Sequence, residues 1–432
     1  TRRSSDLLPR VPSLRGVIST GRVGQGEHSL RALIAGQPGD RLLGRVPGPD
    51  DVAALFHTAA TTGTSKVVPL SHANLLANIR AWGRATALGP QDVCVSWLPL
   101  YHDMGLIGTS LGSLYHGCTL VLMSPLDFLA RPERWLWAIH RYRGTLGAAP
   151  NFAFELCLRR LADAPPAGLD LSSLRLLACG AEPVNPDTLR RFAERFAGSG
   201  LRPGALTPVY GLAEATVGLL VPPLGRGPWV ERIDRDAFTR MGEARPAAPG
   251  HAHALAFVSC GRPLPGHQVR VVDGAGQELG ERVEGRLEFK GPSAAGGYYR
   301  NPEQTRRLFH GDWLDSGDQA YAVAGEFFIT GRVKDIIIRG GMNISAREVE
   351  DHVGARDDIA QVLSKEDLAR ARLAGDEHVG RAGRGLLDQF QAGRELGAVP
   401  HDAAPLAGAG GRAQAALVPV LDGPGQGQGQ LF

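Results

Sequence analysis

The chain has 432 residues, room for two or three domain-sized units. Apolar residues make up 43% and charged residues 21%, which places it among soluble globular proteins and away from disordered ones. A formal charge of +3 is too small for a dedicated nucleic-acid binder. No run of 18 apolar residues is present, so no transmembrane helix is expected. Thr1-Arg-Arg-Ser-Ser-Asp6 has no apolar core behind it and is not a secretory signal. The absence of an initiator Met fits a chain that starts inside a larger protein. Cys94, Cys118, Cys157, Cys179 and Cys260 are odd in number and form no Cys-x-x-Cys. A disulfide framework or zinc site is not expected, and a reducing cytoplasm fits. All but four of the 47 basic residues are arginine, a coding bias rather than chemistry. The 57 glycines and 30 prolines imply many turns.

Residues 1–50 read as loop-rich, with one apolar run at Val17-Ile18. From Asp51 the pattern alternates between strand and helix. Val52–His57 reads as a buried strand leading into a Ser/Thr/Gly loop, and His72–Ala87 has helical spacing at Leu75, Leu76, Ile79 and Trp82. Strands are predicted over Thr119–Met123 and Leu174–Cys179, and helices over Pro132–Tyr142 and Phe152–Leu161. Asn185-Pro186-Asp187 is a helix start with Asn as N-cap and Pro in the first turn. Repeated strand–helix units argue for an α/β body of parallel sheets covered by helices. After Gly261 short strands dominate: Val269–Val272, Gly285–Lys290, Glu326–Ile329 and Ile336–Ile338. Ser345-Ala-Arg-Glu348 matches a capping box. The Ala, Gly, Pro and Gln residues of 403–432 read as disordered. The expected organisation is a large body over 1–330 (51–260 α/β, 261–330 β-rich), a hinge and lid start over 331–366, and a degenerate tail over 367–432.

Six segments carry polar chemistry. Thr58-Ala-Ala-Thr61-Thr62-Gly63-Thr64-Ser65-Lys66 offers hydroxyls, backbone N–H groups and one Lys to an oligophosphate; it is not a Walker A loop, and a plain Ser/Thr-rich turn is the alternative. Trp97-Leu-Pro-Leu-Tyr-His102-Asp103-Met-Gly105 places His beside Asp after a strand, as a general base, a polar group at a substrate mouth or a structural histidine. Cys179-Gly180-Ala181-Glu182-Pro183 and Tyr210-Gly211-Leu-Ala-Glu214-Ala-Thr216 follow strands, where ligands of open α/β sheets bind. Their carboxylates could hold Mg²⁺ or cap helices. Trp313-Leu-Asp-Ser-Gly317-Asp318 and Gly331-Arg332-Val-Lys334-Asp335 complete the series; an Asp after Gly is a turn residue or a ribose-hydroxyl acceptor.

Taken in order, these motifs resemble those of the AMP-forming adenylating superfamily, the acyl-CoA synthetases. Trp97-Leu-Pro-Leu-Tyr-His-Asp-Met-Gly-Leu-Ile-Gly108 and Val258-Ser-Cys-Gly-Arg-Pro-Leu264 are most similar to its fatty-acyl-AMP ligase branch. The likeness runs from about Asp51 to about Val353. It implies that Thr58, Thr61, Thr62, Gly63 and Lys66 hold ATP phosphates, and that His102 lies near the acyl carboxylate and α-phosphate. It further implies that Gly180, Ala181 and Glu182 flank adenine, that Tyr210 stacks on it beside Gly211, and that Glu214 binds Mg²⁺. Asp318 would take the ribose hydroxyls and Arg332 would reach the nucleotide. Asn151, Phe152 and Ala153, after Pro150, would line the acyl pocket, and Lys334 would mark the hinge. Lys66, His102 and Glu214 are the residues so assigned to catalysis.

The resemblance is incomplete in places. Ala59 and Ala60 stand where the family loop has Ser and Gly, Ser65 where it has Pro, and Val67 where it has Gly. Thirteen residues separate Tyr299 from Trp313, without the longer insertion that the fatty-acyl-AMP branch carries there. The N-terminal part is shorter than in the family, and the lid's Ser-Gly-Lys is replaced by Ala407-Gly-Ala-Gly-Gly-Arg-Ala413. The implied reaction is ATP-dependent conversion of a fatty acid to acyl-AMP with release of pyrophosphate, then transfer to a thiol of CoA or a phosphopantetheinyl carrier protein. The alternative is an impaired pseudoenzyme or truncated product that binds nucleotide or acyl chain without efficient turnover. A cytoplasmic protein with no nucleic-acid partner and no direct membrane insertion is expected.

Overall fold

The computed structural model describes residues 46–58, 66–161, 164–251 and 253–333, together with the backbone of four short strands elsewhere. Two of those strands, β1 (Val17–Ser19) and β2 (Glu27–Ser29), pair in parallel. The expected Ser345–Glu348 capping box and the tail lie outside the described residues. Among the described residues no helix is long and apolar enough to cross a membrane, and no disulfide forms.

β3 (Val52–His57) and β4 (Val67–Ser71) form an antiparallel pair in which His57 faces Val67. The sequence predicts a buried strand at β3; instead Val52 is 58% and Leu55 50% exposed. A two-stranded ribbon covers one face only, so β3 turns Phe56 inward and leaves its neighbours out. The helix His72–Thr86 follows β4 directly. Ser71 caps it by accepting from the Asn74 N–H, while the Asn74 side chain accepts from the Ser71 N–H, a reciprocal box that satisfies two end donors.

β5 (Val93–Ser96), β6 (Thr119–Leu122), β7 (Leu146–Ala149), β8 (Leu176–Cys179) and β9 (Leu206–Pro208) build one parallel sheet in the order β6-β5-β7-β8-β9. All four residues of β8 are buried, as a strand covered on both faces requires. Helices Glu133–Tyr142, Asn151–Arg160 and Pro186–Phe196 pack Trp135, Ile139, Phe154, Phe192 and Phe196 into one apolar core with Val95, Trp97 and Leu177. The Asn185 cap and Pro at the helix start are as the sequence predicts; Asn185 Oδ1 accepts from the Asp187 and Thr188 N–H groups.

The remaining strands are antiparallel. β10 (Leu220–Val221) pairs with β13 (Arg262–Pro263), and β11 (Val230–Ile233) with β12 (Leu255–Val258). β14 (Gln268–Val272), β15 (Gly285–Lys290), β17 (Trp313–Val323) and β16 (Phe309–His310) follow in that order, with β18 (Glu326–Arg332) on β17. β19 (Ile336–Arg339) and β20 (Met342–Ser345) form a hairpin. A second apolar core joins the ribbon and the first helix to this antiparallel sheet through Phe56, Val68, Leu70, Ile79, Leu287, Phe289, Tyr298 and Leu314.

Candidate active site

The β3–β4 register fixes both ends of the Thr/Ser-rich loop. Thr58 donates its N–H to the Lys66 carbonyl at 2.9 Å, so the loop leaves and returns at one point. Thr61, Thr62 and Gly63 lie outside the described residues, as does Lys334. From the loop's end, Lys66 places Nζ 4.4 Å from the centre of the Tyr298 ring and 3.3 Å from its hydroxyl. That hydroxyl donates to Glu214 Oε1 at 2.7 Å. Burial first, and the facing Glu214 carboxylate second, push the Tyr298 phenol well above its ordinary range. Three segments far apart in sequence thus meet in one chain of contacts. Tyr298 is 8% exposed, and its neighbour ties the ribbon down: the Tyr299 N–H donates to the Val67 carbonyl at 2.8 Å.

Glu214 sits in a single turn, Ala213–Ala215, and the turn is held from behind. Thr216 has φ of 79°, costly for a β-branched residue. Its hydroxyl donates to the Ser293 carbonyl at 2.7 Å. Asn78, fully buried in the helix after β4, donates to the Ala215 and Gly218 carbonyls at 3.0 and 2.8 Å. Ser293 Oγ lies 3.0 Å from the Ala215 carbonyl and 2.6 Å from His267 Nε2. Paired at every side chain but for His267 Nδ1, this buried polar network restricts the turn. Asn78 and Tyr298 were not among the residues read from the sequence. Gly296-Gly297-Tyr298 before the Asn301-Pro302 helix start was the available signal.

A second group gathers at the antiparallel sheet. Gly317 has φ of 77°, open to glycine alone without strain, and the bend lets Ser316 Oγ accept from the Asp318 N–H at 3.1 Å. The β17–β18 register places Asp318 opposite Arg332, with Nε 3.4 Å from Oδ1. Tyr210 donates its hydroxyl to the other oxygen, Oδ2, at 2.5 Å. Burial, then the Asp318 charge, raise the Tyr210 phenol well above its usual value. So the sequence-predicted Tyr210, Asp318 and Arg332 stand together.

The other predicted residues serve local structure as well. Glu182 Oε1 accepts from the Phe152 N–H at 2.5 Å, at the start of the helix Asn151–Arg160. Asn151 Oδ1 accepts from the Asn185 N–H at 3.0 Å, and Ala153 is buried in the first core. Phe152 meets Trp97 edge to face at 6.0 Å. Ala181 has φ of 65°, a strained value for alanine. Gly180 and Gly211 are needed by backbone packing: a Cβ would lie 2.8 Å from the Val209 carbonyl oxygen at Gly180 and 1.7 Å from the Val217 carbonyl oxygen at Gly211. His102 makes its contacts within its own turn. Its N–H donates to the Pro99 carbonyl at 3.1 Å, and its Nδ1 lies 2.8 Å from Asp103 Oδ1. The turn opens a π-helix, Met104–Leu111, a geometry frequent at functional sites and not read from the sequence.

Three comparisons bear on this arrangement. Residues 10–299 match the family model for AMP-binding enzyme. Over 365 residues the chain is 36% identical to long-chain-fatty-acid–AMP ligase FadD23 of Mycobacterium tuberculosis (strain CDC 1551 / Oshkosh), covering 80% of this chain and 61% of that protein. Over 316 residues it is 38% identical to long-chain-fatty-acid–AMP ligase FadD26 of Mycobacterium marinum, covering 69% and 54%. A solved structure from a study of fatty acyl-adenylate ligases of E. coli and L. pneumophila superposes with a TM-score of 0.72 at 35% identity, covering 76% of this chain and 60% of that one. The chain therefore spans little more than half the length of these curated relatives. A parallel sheet under helices, an antiparallel sheet beside it and a family match over residues 10–299 agree: the chain belongs to the AMP-binding enzyme family.

Proposed function

We propose that this chain is the nucleotide- and acid-binding body of an AMP-forming acid–thiol ligase acting on fatty acids. The observation that carries the reading is the contact chain Lys66–Tyr298–Glu214, which sets a cation and a carboxylate about one tyrosine hydroxyl at the end of a hydroxyl-rich loop. In this reading Lys66 and Thr58 meet phosphate oxygens, and Asp318 with Arg332 meets ribose hydroxyls. The fatty-acid specificity and the Asn151-Phe152-Ala153 pocket rest on the named relatives.

The residues fit the metal that the family implies. Among the described residues no cluster of three His, Cys, Asp or Glu exists, so the protein offers a lone carboxylate at Glu214. Mg²⁺ takes one or two carboxylates, several waters and substrate phosphates, and a lone carboxylate beside a phosphate-seeking lysine suits that preference. When bound, the ion supplies charge neutralisation on the phosphates. In the proposed reaction a carboxylate oxygen attacks the α-phosphorus of ATP. The new O–P bond forms as the bond to the bridging oxygen breaks, and pyrophosphate leaves with the electron pair. Lys66 stabilises charge on the leaving group and His102 orients the acyl carboxylate. No protein nucleophile is needed, since positioning and electrostatics lower the barrier. A thiolate of CoA or of a carrier protein, its proton given up to solvent, then attacks the acyl carbonyl carbon; the thioester bond forms as the acyl–phosphate bond breaks and AMP leaves with the electron pair, in the cytoplasm.

Acyl-hydroxamate and pyrophosphate formation from ATP with a panel of fatty acids tests the reading. Turnover on dodecanoate that is lost in Lys66→Ala and Glu214→Gln is expected. Turnover on amino acids alone, or none despite tight ATP binding, contradicts it; the second result favours the pseudoenzyme.

A further inference from the structure

We infer that Tyr298 is a positioning residue of this site, a single side chain that sets the Glu214 carboxylate for a divalent cation and the Lys66 ammonium for phosphate. This rests on the nucleotide reading above and gives the middle residue of that contact chain a role of its own. The argument is geometric. Glu214 and Lys66 carry opposite charges at the ends of one short contact chain, and left alone such a pair collapses into a salt bridge that blocks both functions. Tyr298 stands between them. Its hydroxyl donates to Glu214 Oε1 at 2.7 Å, which restrains the rotation of the carboxylate. Its π-face lies 4.4 Å from Lys66 Nζ and its hydroxyl accepts from the same Nζ at 3.3 Å, so ring and hydroxyl together hold the ammonium.

The tyrosine is itself fixed at both ends. It is 8% exposed within the apolar core that joins the ribbon to the antiparallel sheet. Its N–H donates to Thr305 Oγ1 at 2.9 Å, on the helix Pro302–Leu308. Its neighbours on either side reach the site's other walls: the Tyr299 N–H donates to Val67 beside the loop, and the Ala295 N–H donates to the Glu214 carbonyl at 2.8 Å. One segment, 295–299, therefore touches both the phosphate loop and the metal carboxylate, with Tyr298 as its inward side chain. A buried tyrosine that merely found a polar partner would need only one of these contacts.

Two variants separate the roles. Tyr298→Phe keeps the ring over Lys66 and removes the hydroxyl, with its short bond to Glu214 and its longer one from Lys66; Tyr298→Leu removes the ring contact as well. ATP binding is measured by calorimetry across a Mg²⁺ titration, with thermal midpoints recorded in parallel. In Tyr298→Phe the Mg²⁺ needed for half-maximal ATP affinity should rise roughly tenfold, while the ATP Kd at saturating Mg²⁺ stays within about twofold, as loss of a hydrogen bond to a charged group implies. In Tyr298→Leu the ATP Kd at saturating Mg²⁺ should weaken about tenfold as well. An unchanged Mg²⁺ midpoint in the Phe variant, or equal losses of both quantities in both variants, overturns the proposal. Lys66→Ala and Glu214→Gln are measured alongside. If these bind ATP as the parent does, the nucleotide reading itself has failed; if they lose binding while Tyr298→Phe does not, only the tyrosine's role has failed.

Discussion

The parallel and antiparallel halves of this protein hold themselves together by different means. In the parallel half, strands such as Leu176–Cys179 are buried end to end, and Trp135, Phe154 and Phe192 fill the space beneath the helices. Polar side chains there go to helix caps and sheet margins. In the antiparallel half, carboxylates are buried and matched across the strands. Glu288 is fully buried, with Arg270 Nη2 at 2.7 Å and His310 Nδ1 at 2.6 Å. Glu326 accepts from Arg226 and from Ser259, each at 2.5 Å. Apolar burial is non-directional and tolerant, whereas a buried carboxylate needs its partners in fixed places. Asp318 is built in the second manner. The candidate site follows the second half: bonds from Asn78, Ser293 and Tyr298 fix the Glu214 turn, and Tyr298 lies in the core shared with the antiparallel sheet.

The sharpest way to break this comparison is to damage one side and look for effects on the other. Trp135→Ala should cost about 3–5 kcal/mol of stability, read as a drop in the denaturant midpoint. Lys66→Ala should leave stability within about 1 kcal/mol, the size of the contact over Tyr298, and cut acyl-adenylate formation by about 10²–10³-fold. A Lys66→Ala protein that unfolds with its activity loss would show that the two halves are not separable.

Asn78→Ala tests the join between them. The change takes the Asn78 donor from the Gly218 carbonyl and leaves the Ala215 carbonyl with Ser293 Oγ, and an unmet buried acceptor costs about 1–3 kcal/mol. Destabilisation of roughly 2–3 kcal/mol is expected, with loss of adenylate formation because the Glu214 turn loosens. Full activity at reduced stability would mean that Thr216 and Ser293 hold the turn unaided.

That a helix residue supports the Glu214 turn was beyond local reading. Asn78 and its partners are 137 and 140 positions apart, and Tyr298 lies 84 from Glu214 and 232 from Lys66. Sequence patterns register neighbours, so the Asn185-Pro186 cap and the strands Gly285–Lys290 and Val52–His57 were legible, while the six polar segments gave candidates for the site. The strand Val67–Ser71 was not, because Pro69 lies inside it, and proline demotes a strand reading. The π-helix escaped because Gly105 and Gly108 break the apolar rhythm. Gly105 is required there by the Pro99 carbonyl oxygen, which a Cβ would approach to 2.2 Å. The pairing of Asp318 with Arg332 depends on the strand register and its bulge at Gln319/Ala320, which no motif encodes.

A pH experiment refines the parallel side. Asp92, just before β5, faces Arg175, which reaches it through Nε at 2.7 Å and Nη2 at 2.6 Å and also binds the Thr86 and Ala87 carbonyls. Burial alone would raise the Asp92 carboxyl. Arg175, Thr145 and the Gly89 N–H outweigh it and hold the carboxyl below its ordinary value. A depressed folded value stabilises the protein above the unfolded pKa, and the gain is lost as pH falls through the folded one. Asp92→Asn should thus cost about 1–2 kcal/mol near pH 7, and the gap from the parent should close as the pH is lowered below about 4. A gap that persists at pH 3 would assign the loss to packing instead of charge.

The smallest effect expected is the most diagnostic of the antiparallel side. Tyr210 donates to Asp318 Oδ2, while Arg332 faces the other oxygen. If Asp318 takes ribose hydroxyls, the nucleotide and the Tyr210 hydroxyl compete for the same acceptor. Removing the hydroxyl then has opposite consequences in the two states. Without nucleotide, Tyr210→Phe leaves a carboxylate oxygen that is mostly shielded from water, Asp318 being 9% exposed, without its donor, at a cost of about 1 kcal/mol. With nucleotide, the ribose hydroxyls supply the donor and the phenyl ring still offers its face to a base. Because a ligand that binds only the folded state adds stability according to its affinity, ATP should raise the thermal midpoint of Tyr210→Phe by more than it raises that of the parent. A smaller rise in the variant would show that the hydroxyl helps nucleotide binding directly, and that Asp318 is placed for the tyrosine and not for the ribose.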